Sequence, residues 1–78
     1  MYREIIITKD FTTDTARKIV ETATDYPDGV FILHDNKRVN AKSIMGVISL
    51  LLKKGDTVFV EAAGEDSESI INIICNII

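Results

Sequence analysis

Val39-Asn40-Ala41-Lys42-Ser43-Ile44-Met45-Gly46-Val47-Ile48-Ser49-Leu50 decides how this chain is read: the end of a strand, a capping serine, then an apolar helix. Serine readily accepts a hydrogen bond from the unpaired first-turn amides of a helix, and Met45, Ile48, Leu51 and Leu52 recur behind it at helical spacing. The helix is expected to run from Ser43 to Lys53-Lys54-Gly55, where basic residues and a glycine suit a C-terminus. Those first amides carry the positive end of the helix dipole, so a phosphate added to Ser43 is electrostatically favoured. Ser43 is therefore a candidate regulatory phosphorylation site, although a serine ahead of an apolar run is also an ordinary cap.

Working outward, Asp35-Asn36 separates Val30-Phe31-Ile32-Leu33-His34 from Lys37-Arg38-Val39-Asn40, which predicts a hairpin of strands two and three. Upstream, Pro27-Asp28-Gly29 stops a helix expected over residues 14–25, with Ala16, Ile19, Val20 and Ala23 as its apolar face and Thr13 or Asp14 as its cap. Ile5-Ile6-Ile7-Thr8 reads as a first strand, central and buried on both faces. Downstream, residues 57–63 alternate as a fourth strand. Asp66 or Ser67 then caps a last helix whose apolar face is Ile70, Ile73, Ile74, Ile77 and Ile78. Glu65, Asp66 and Glu68 sit where carboxylates meet the positive helix end, so they read as structural.

The order βαββαβα predicts an α+β open-faced sandwich: a four-stranded sheet with three helices on one face, forming one domain over residues 1–78. A ferredoxin-like arrangement of the first six elements fits the same periodicity. With 46% apolar and 27% charged residues the composition is that of a globular protein, and no apolar run is long enough to span a bilayer. The N-terminus lacks the layout of a signal peptide, so a cytoplasmic protein is expected, with no membrane association. Twelve acidic and nine basic residues give a net charge of −3, which provides no basic footprint for nucleic acid. Cys75 has no partner for a disulfide and reads as a small core or half-buried residue. His34, a lone histidine in a strand, reads as a surface or edge residue. There is no phosphate loop, zinc spacing or Ser/His/Asp set, so no metal, cofactor or enzymatic activity is expected.

The Ser43 segment resembles that around the regulatory serine of HPr, the histidine-containing phosphocarrier family of the bacterial sugar phosphotransferase system. With Arg17 and the Gly64-Glu65-Asp66 lead into the last helix, the resemblance in element order covers nearly all 78 residues. It implies the HPr-like open-faced sandwich. In the family a histidine within His-Ala-Arg-Pro accepts the phosphoryl group; this chain reads Thr15-Ala16-Arg17-Lys18. A histidine carries phosphate as a labile phosphoramidate. A threonine ester is far more stable, and the hydroxyl is a weak nucleophile without a base. The chain is thus similar to the family's catabolite-repression branch, which lacks the histidine but keeps the Arg-Pro that is lost here.

The resemblance implies a non-carrier regulatory protein. Ser43 would be modified by an HPr kinase/phosphorylase, and the modified face would meet a LacI-type catabolite regulator or a metabolic enzyme. Lys42, Ile44, Met45 and Val47 are the expected partner-binding residues, since adaptable methionine and aliphatic side chains beside a switchable charge suit docking. Arg17 and Lys18 are the expected anion-binding residues, by forked hydrogen bonds and simple charge, or else solvated helix residues. Two other readings stay open: a working phosphocarrier, and a small α+β interaction module with no phosphate switch. The oligomeric state is not encoded in any of these patterns.

Overall fold

The computed structural model describes all of residues 1–78, in the order β1 (Tyr2–Ile6), α1 (Thr13–Thr24), β2 (Val30–His34), β3 (Lys37–Asn40), α2 (Ile44–Ser49), β4 (Thr57–Ala62) and α3 (Ser67–Ile77). The strands form one antiparallel sheet in the order β1-β4-β2-β3, with pairs such as Ile5↔Val58, Ile32↔Val60 and His34↔Lys37 fixing the register. The α+β open-faced sandwich is as expected. The ferredoxin-like alternative, in which β1 is interior, is excluded because β4 is the strand inserted beside β2.

One sheet face carries Ile5, Val30, Ile32, Val58, Val60 and Ala62, all buried, and it packs against Ala16, Ile19 and Ala23 of α1, Val47 of α2 and Ile70, Ile71 and Ile74 of α3. The other face carries Tyr2, Phe31, Phe59, Arg38 and Glu61. There the Arg38 guanidinium lies 3.7 Å from the Phe31 ring centre and 3.2 Å from a Glu61 carboxylate oxygen. Period-two alternation makes this division, because successive side chains of a strand point to opposite faces.

Several expected boundaries are corrected. β1 begins earlier than Ile5 and lies at the sheet edge, so it buries one face only: Ile5 points inward and Ile6 is exposed. Three consecutive isoleucines suggest two buried faces, but Ile7 has already left the strand when it enters the core. The cap of α1 is Thr12, one residue before the expected Thr13. α2 stops at Ser49 instead of continuing to Lys53, because Leu51 adopts a left-handed φ of 52° and turns Leu52 into the core. In α3, Ile71 is buried where Ile73 was expected, and Asp66 stands at the N-cap position without a side-chain cap bond. Cys75 is exposed, not half-buried, since Ile74 takes the inward position beside it. His34 is no edge residue: β2 is interior, and its Nδ1 lies 3.1 Å from the Thr57 carbonyl oxygen.

Two junctions fasten the layers. Tyr26, just beyond α1, is buried and donates its hydroxyl proton to the Ala63 carbonyl, which ties the α1–β2 loop to the start of α3. Burial raises the Tyr26 pKa, and the nearby Asp28 and Asp66 carboxylates raise it further. Gly64 completes this junction with φ of 89°, and a Cβ there falls inside the contact radius of the Asp28 carboxylate. At the opposite end, Asp56 accepts hydrogen bonds of 3.0 Å from both the Lys53 ammonium and the Lys53 amide.

Gly64→Ala is expected to lower stability by about 1 to 3 kcal/mol, the scale of a residue held in a sparsely allowed region, read as a shifted urea midpoint at unchanged slope. The Lys53 hydrogen bond, more than any other contact, holds the Asp56 pKa below the ordinary carboxylate value, with the Lys53 and His34 charges adding to it against burial. The lowered value stabilises the fold above the unfolded aspartate pKa of about 3.9, and the contribution disappears as pH falls through the folded value. Asp56→Asn should therefore be less stable than the parent at neutral pH, with the gap closing on acidification below pH of about 3.9 in urea titrations.

Candidate functional site

The first turn of α1 is closed by hydroxyls. Thr12 Oγ1 accepts the Thr15 amide at 3.2 Å, and Thr15 Oγ1 accepts the Thr12 amide at 3.2 Å, a capping box in which threonine takes the place of the usual Glu or Gln. The two hydroxyl oxygens also lie 3.1 Å apart. Thr15 is thus half-buried and committed to its own helix. The cations expected to bind an anion are engaged as well: Arg17 pairs with Asp14 across one turn, and the Lys18 ammonium lies 3.5 Å from the other Asp14 oxygen. All three side chains are solvated, so these pairs hold the cations loosely.

Ser43 caps α2 as expected. Its backbone is extended and its Oγ accepts the Gly46 amide at 3.1 Å, while the residue stays exposed to solvent. Asn40 and Lys42 set the approach: Asn40 Oδ1 accepts the Lys42 amide at 2.9 Å, and the Lys42 ammonium reaches the Tyr26 carbonyl at 2.8 Å. Gly46 lies beside Val39 of β3, where an added Cβ would be 3.4 Å from the valine Cβ, a snug but tolerable contact.

Of the four expected partner-binding residues, Ile44 and Met45 lie on the surface and Lys42 is half-buried by its reach to Tyr26. Val47 is a correction. It is 0% exposed, because the first turn of so short a helix must send one side chain into the core to hold it down. Ile48 and Leu51 take its place on the surface. Together with Phe11, Thr12, Thr13, Ala16 and Leu52 they line a groove of about 270 Å³ that joins the start of α1 to the end of α2. Sequence periodicity missed Leu51 because it fits the helical spacing of α2. The adjacent Leu51-Leu52 pair was the available signal, since two neighbours cannot both face the core from one short helix.

No cluster of His, Cys, Asp or Glu in the structure is arranged to hold a metal ion. No helix is long and apolar enough to cross a membrane. What the arrangement offers is an exposed hydroxyl on free amides, next to an apolar groove, with a second hydroxyl centre closed upon itself.

Thr12→Ala removes the acceptor for the Thr15 amide and should cost about 0.5 to 2 kcal/mol, more than Thr15→Ala, which frees only the Thr12 amide to solvent. The two losses should not add in a double-mutant cycle read by chemical denaturation, because the bonds are reciprocal.

The comparisons fit this geometry. The family model described as "PTS HPr component phosphorylation site" matches residues 4–78. The HPr-like protein Crh of Bacillus subtilis is 43% identical over 53 residues, which are 68% of this chain and 62% of that protein, so the match spans less than two thirds of the relative's length. The phosphocarrier protein HPr of Bacillus anthracis superposes with a TM-score of 0.93 at 26% identity, over 100% of this chain and 95% of that one. Bacillus subtilis Crh, solved as a domain-swapped dimer, superposes with a TM-score of 0.76 at 32% identity, over 91% and 82% of the two chains. By its fold, its strand order and the match along nearly its whole length, the chain belongs to the HPr family.

Proposed function

We propose that this HPr-family member is a non-carrier regulatory module, in which phosphorylation of Ser43 controls the binding of a protein partner in carbon catabolite control. The observation that carries this reading is the contrast between the two capped helix starts. Ser43 is exposed, makes a single side-chain cap bond and stands beside exposed Ile44 and Met45. Thr15, at the family's phosphoryl-acceptor position, spends its hydroxyl in a reciprocal capping box, and no histidine lies near it in the sequence to act as base.

Adding a phosphate to Ser43 gives about −1.5 to −2 charges and three strong acceptor oxygens next to the free amides of α2. One of those oxygens can take over the Gly46 amide that Oγ now holds, so the modification keeps the helix start intact. α2 has only six residues, and its dipole contributes less than a longer helix would supply. The local amides therefore carry the stabilisation. The partner reads two things at once: the new charge and the aliphatic surface of Ile44, Met45 and Ile48. By family resemblance the modifying enzyme is an HPr kinase/phosphorylase and the reader a LacI-type regulator or a metabolic enzyme. Arg17 and Lys18, paired with Asp14 only across solvated contacts, are the residues assigned to an acidic group on that partner. The chain binds and is modified; it catalyses nothing itself.

Incubation with HPr kinase/phosphorylase and ATP should add one phosphate to the chain, mapped by mass spectrometry to Ser43 and absent in Ser43→Ala. Incubation with phosphoenolpyruvate and enzyme I should give no acid-labile phosphate. Failure of the first reaction under conditions that label ordinary HPr removes the regulatory reading. Acid-labile label in the second makes the chain a carrier.

A further inference from the structure

We infer that Leu51 is the affinity-determining anchor of the Ser43 face, a leucine held in a position that costs the isolated fold stability and serves only a bound protein. This rests on the functional reading above and adds to it the residue that the partner grips.

Leu51 follows Leu50, the C-cap of α2, and has φ of 52°. Glycine is the default at that place in a helix end, because any Cβ in the left-handed region crowds the following carbonyl. Asn and Asp tolerate it through their short polar side chains, as Asp35 does in the hairpin turn at φ of 54°. Leucine has no such compensation. It is also 80% exposed, the most exposed of the large apolar residues. The hydrophobic contact that usually accompanies this helix end falls to the next residue, Leu52, which is buried near Val47 at the helix's inner side. Leu51 thus carries two unfavourable features, backbone crowding and a solvated aliphatic side chain, and neither is relieved inside the chain.

Its location gives the reason. Leu51 forms one lip of the groove whose other members include Phe11, Ala16 and Ile48, and it continues the exposed surface of Met45 and Ile48. α2 carries no charged residue, whereas Lys53 and Lys54 follow after Leu52 and are both exposed; the Lys53 ammonium is paired with Asp56 at 3.0 Å, which leaves Lys54 as the unpaired cation beside Leu51. The occupant is therefore a protein surface with an aliphatic pocket bordered by a carboxylate: the pocket receives Leu51, and the carboxylate meets Lys54. Backbone strain kept at a surface position is expected where the bound state recovers what the free state loses.

The test uses the full chain, phosphorylated on Ser43, and the purified LacI-type regulator as the probe. Leu51→Gly should raise the thermal midpoint of the free chain yet weaken binding to the regulator by about tenfold or more, the loss expected of an anchor residue. Leu51→Asn keeps a residue suited to the left-handed backbone and should weaken binding to the same degree, which separates loss of the side chain from gain of flexibility. A lowered midpoint in Leu51→Gly overturns the inference, because it shows a structural role. Unchanged affinity in both variants, while Met45→Ala binds more weakly, also overturns it and leaves the functional reading standing. A wild-type phosphorylated chain that does not bind the regulator at all sinks both.

Discussion

The sheet has one face to offer its helices, and all three must share it. β4 is inserted antiparallel between β1 and β2, so Val58, Val60 and Ala62 form the central inward row of the face that the helices share, with α3 against β4 and β1, α2 against β3, and α1 packed on both helices. Burying such aliphatic side chains is worth about 1.5 to 3 kcal/mol each against leaving them in water, which fixes the register strongly, since a slip of one residue would turn Phe59 and Glu61 inward. The consequence for function is spatial. Helices crowded onto one face bring the start of α1 and the end of α2 into contact, and the groove lined by Phe11, Ala16, Val47 and Leu51 is what remains where their short ends fail to fill the corner.

The same chemical device appears at the starts of α1 and α2 with opposite consequences. Each helix begins with a side-chain hydroxyl accepting a backbone amide, and in each the distance is near 3.1 or 3.2 Å. At α1 the bond is returned, because Thr15 supplies a second hydroxyl that accepts the Thr12 amide, so both side chains are drawn back on the helix. At α2 nothing returns the bond. The residue three positions after Ser43 is Gly46, which has no side chain to reach back, and the serine hydroxyl is left with a free lone pair and a free proton facing solvent. With threonine at position 15 the start of α1 is a reciprocal helix clasp.

The elements set by local chemistry were legible in the sequence. Asp35-Asn36 specifies the hairpin, Pro27-Asp28-Gly29 ends α1, and Ser43 starts α2, because turn and cap residues act on their own backbone. What was not legible depends on neighbours distant in sequence. Ile5-Ile6-Ile7 cannot announce that β4 covers only one side of its strand, and the periodicity of α3 does not choose between Ile71 and Ile73 until the sheet chooses for it. The candidate site was legible in part for the same reason. Ser43, Ile44 and Met45 follow from the cap, whereas the inward turn of Val47 and the outward turn of Leu51 follow from where α2 stops. That stop is made by a non-glycine residue in a backbone region where sequence rules expect glycine, and no propensity argument predicts an exception to itself.

The early stop also extends the aliphatic surface of Ile44, Met45 and Ile48 as far as Leu51. Had α2 run to Lys53, Leu51 and Leu52 would have lain on its inward stripe with Val47 and Ile48, and the face beside the serine would have ended in lysines. By breaking after Ser49 the chain sends Leu50 and Leu52 to the core and leaves Leu51 outside with Ile48, so that this end of the surface is apolar instead of cationic. Lys42 is withdrawn in the same direction, since its ammonium is held by the Tyr26 carbonyl. A phosphate in such a setting is poorly neutralised from within the chain. It then depends on a partner's positive groups for its strongest contacts, which is what makes a local charge legible to another protein rather than to the fold that carries it.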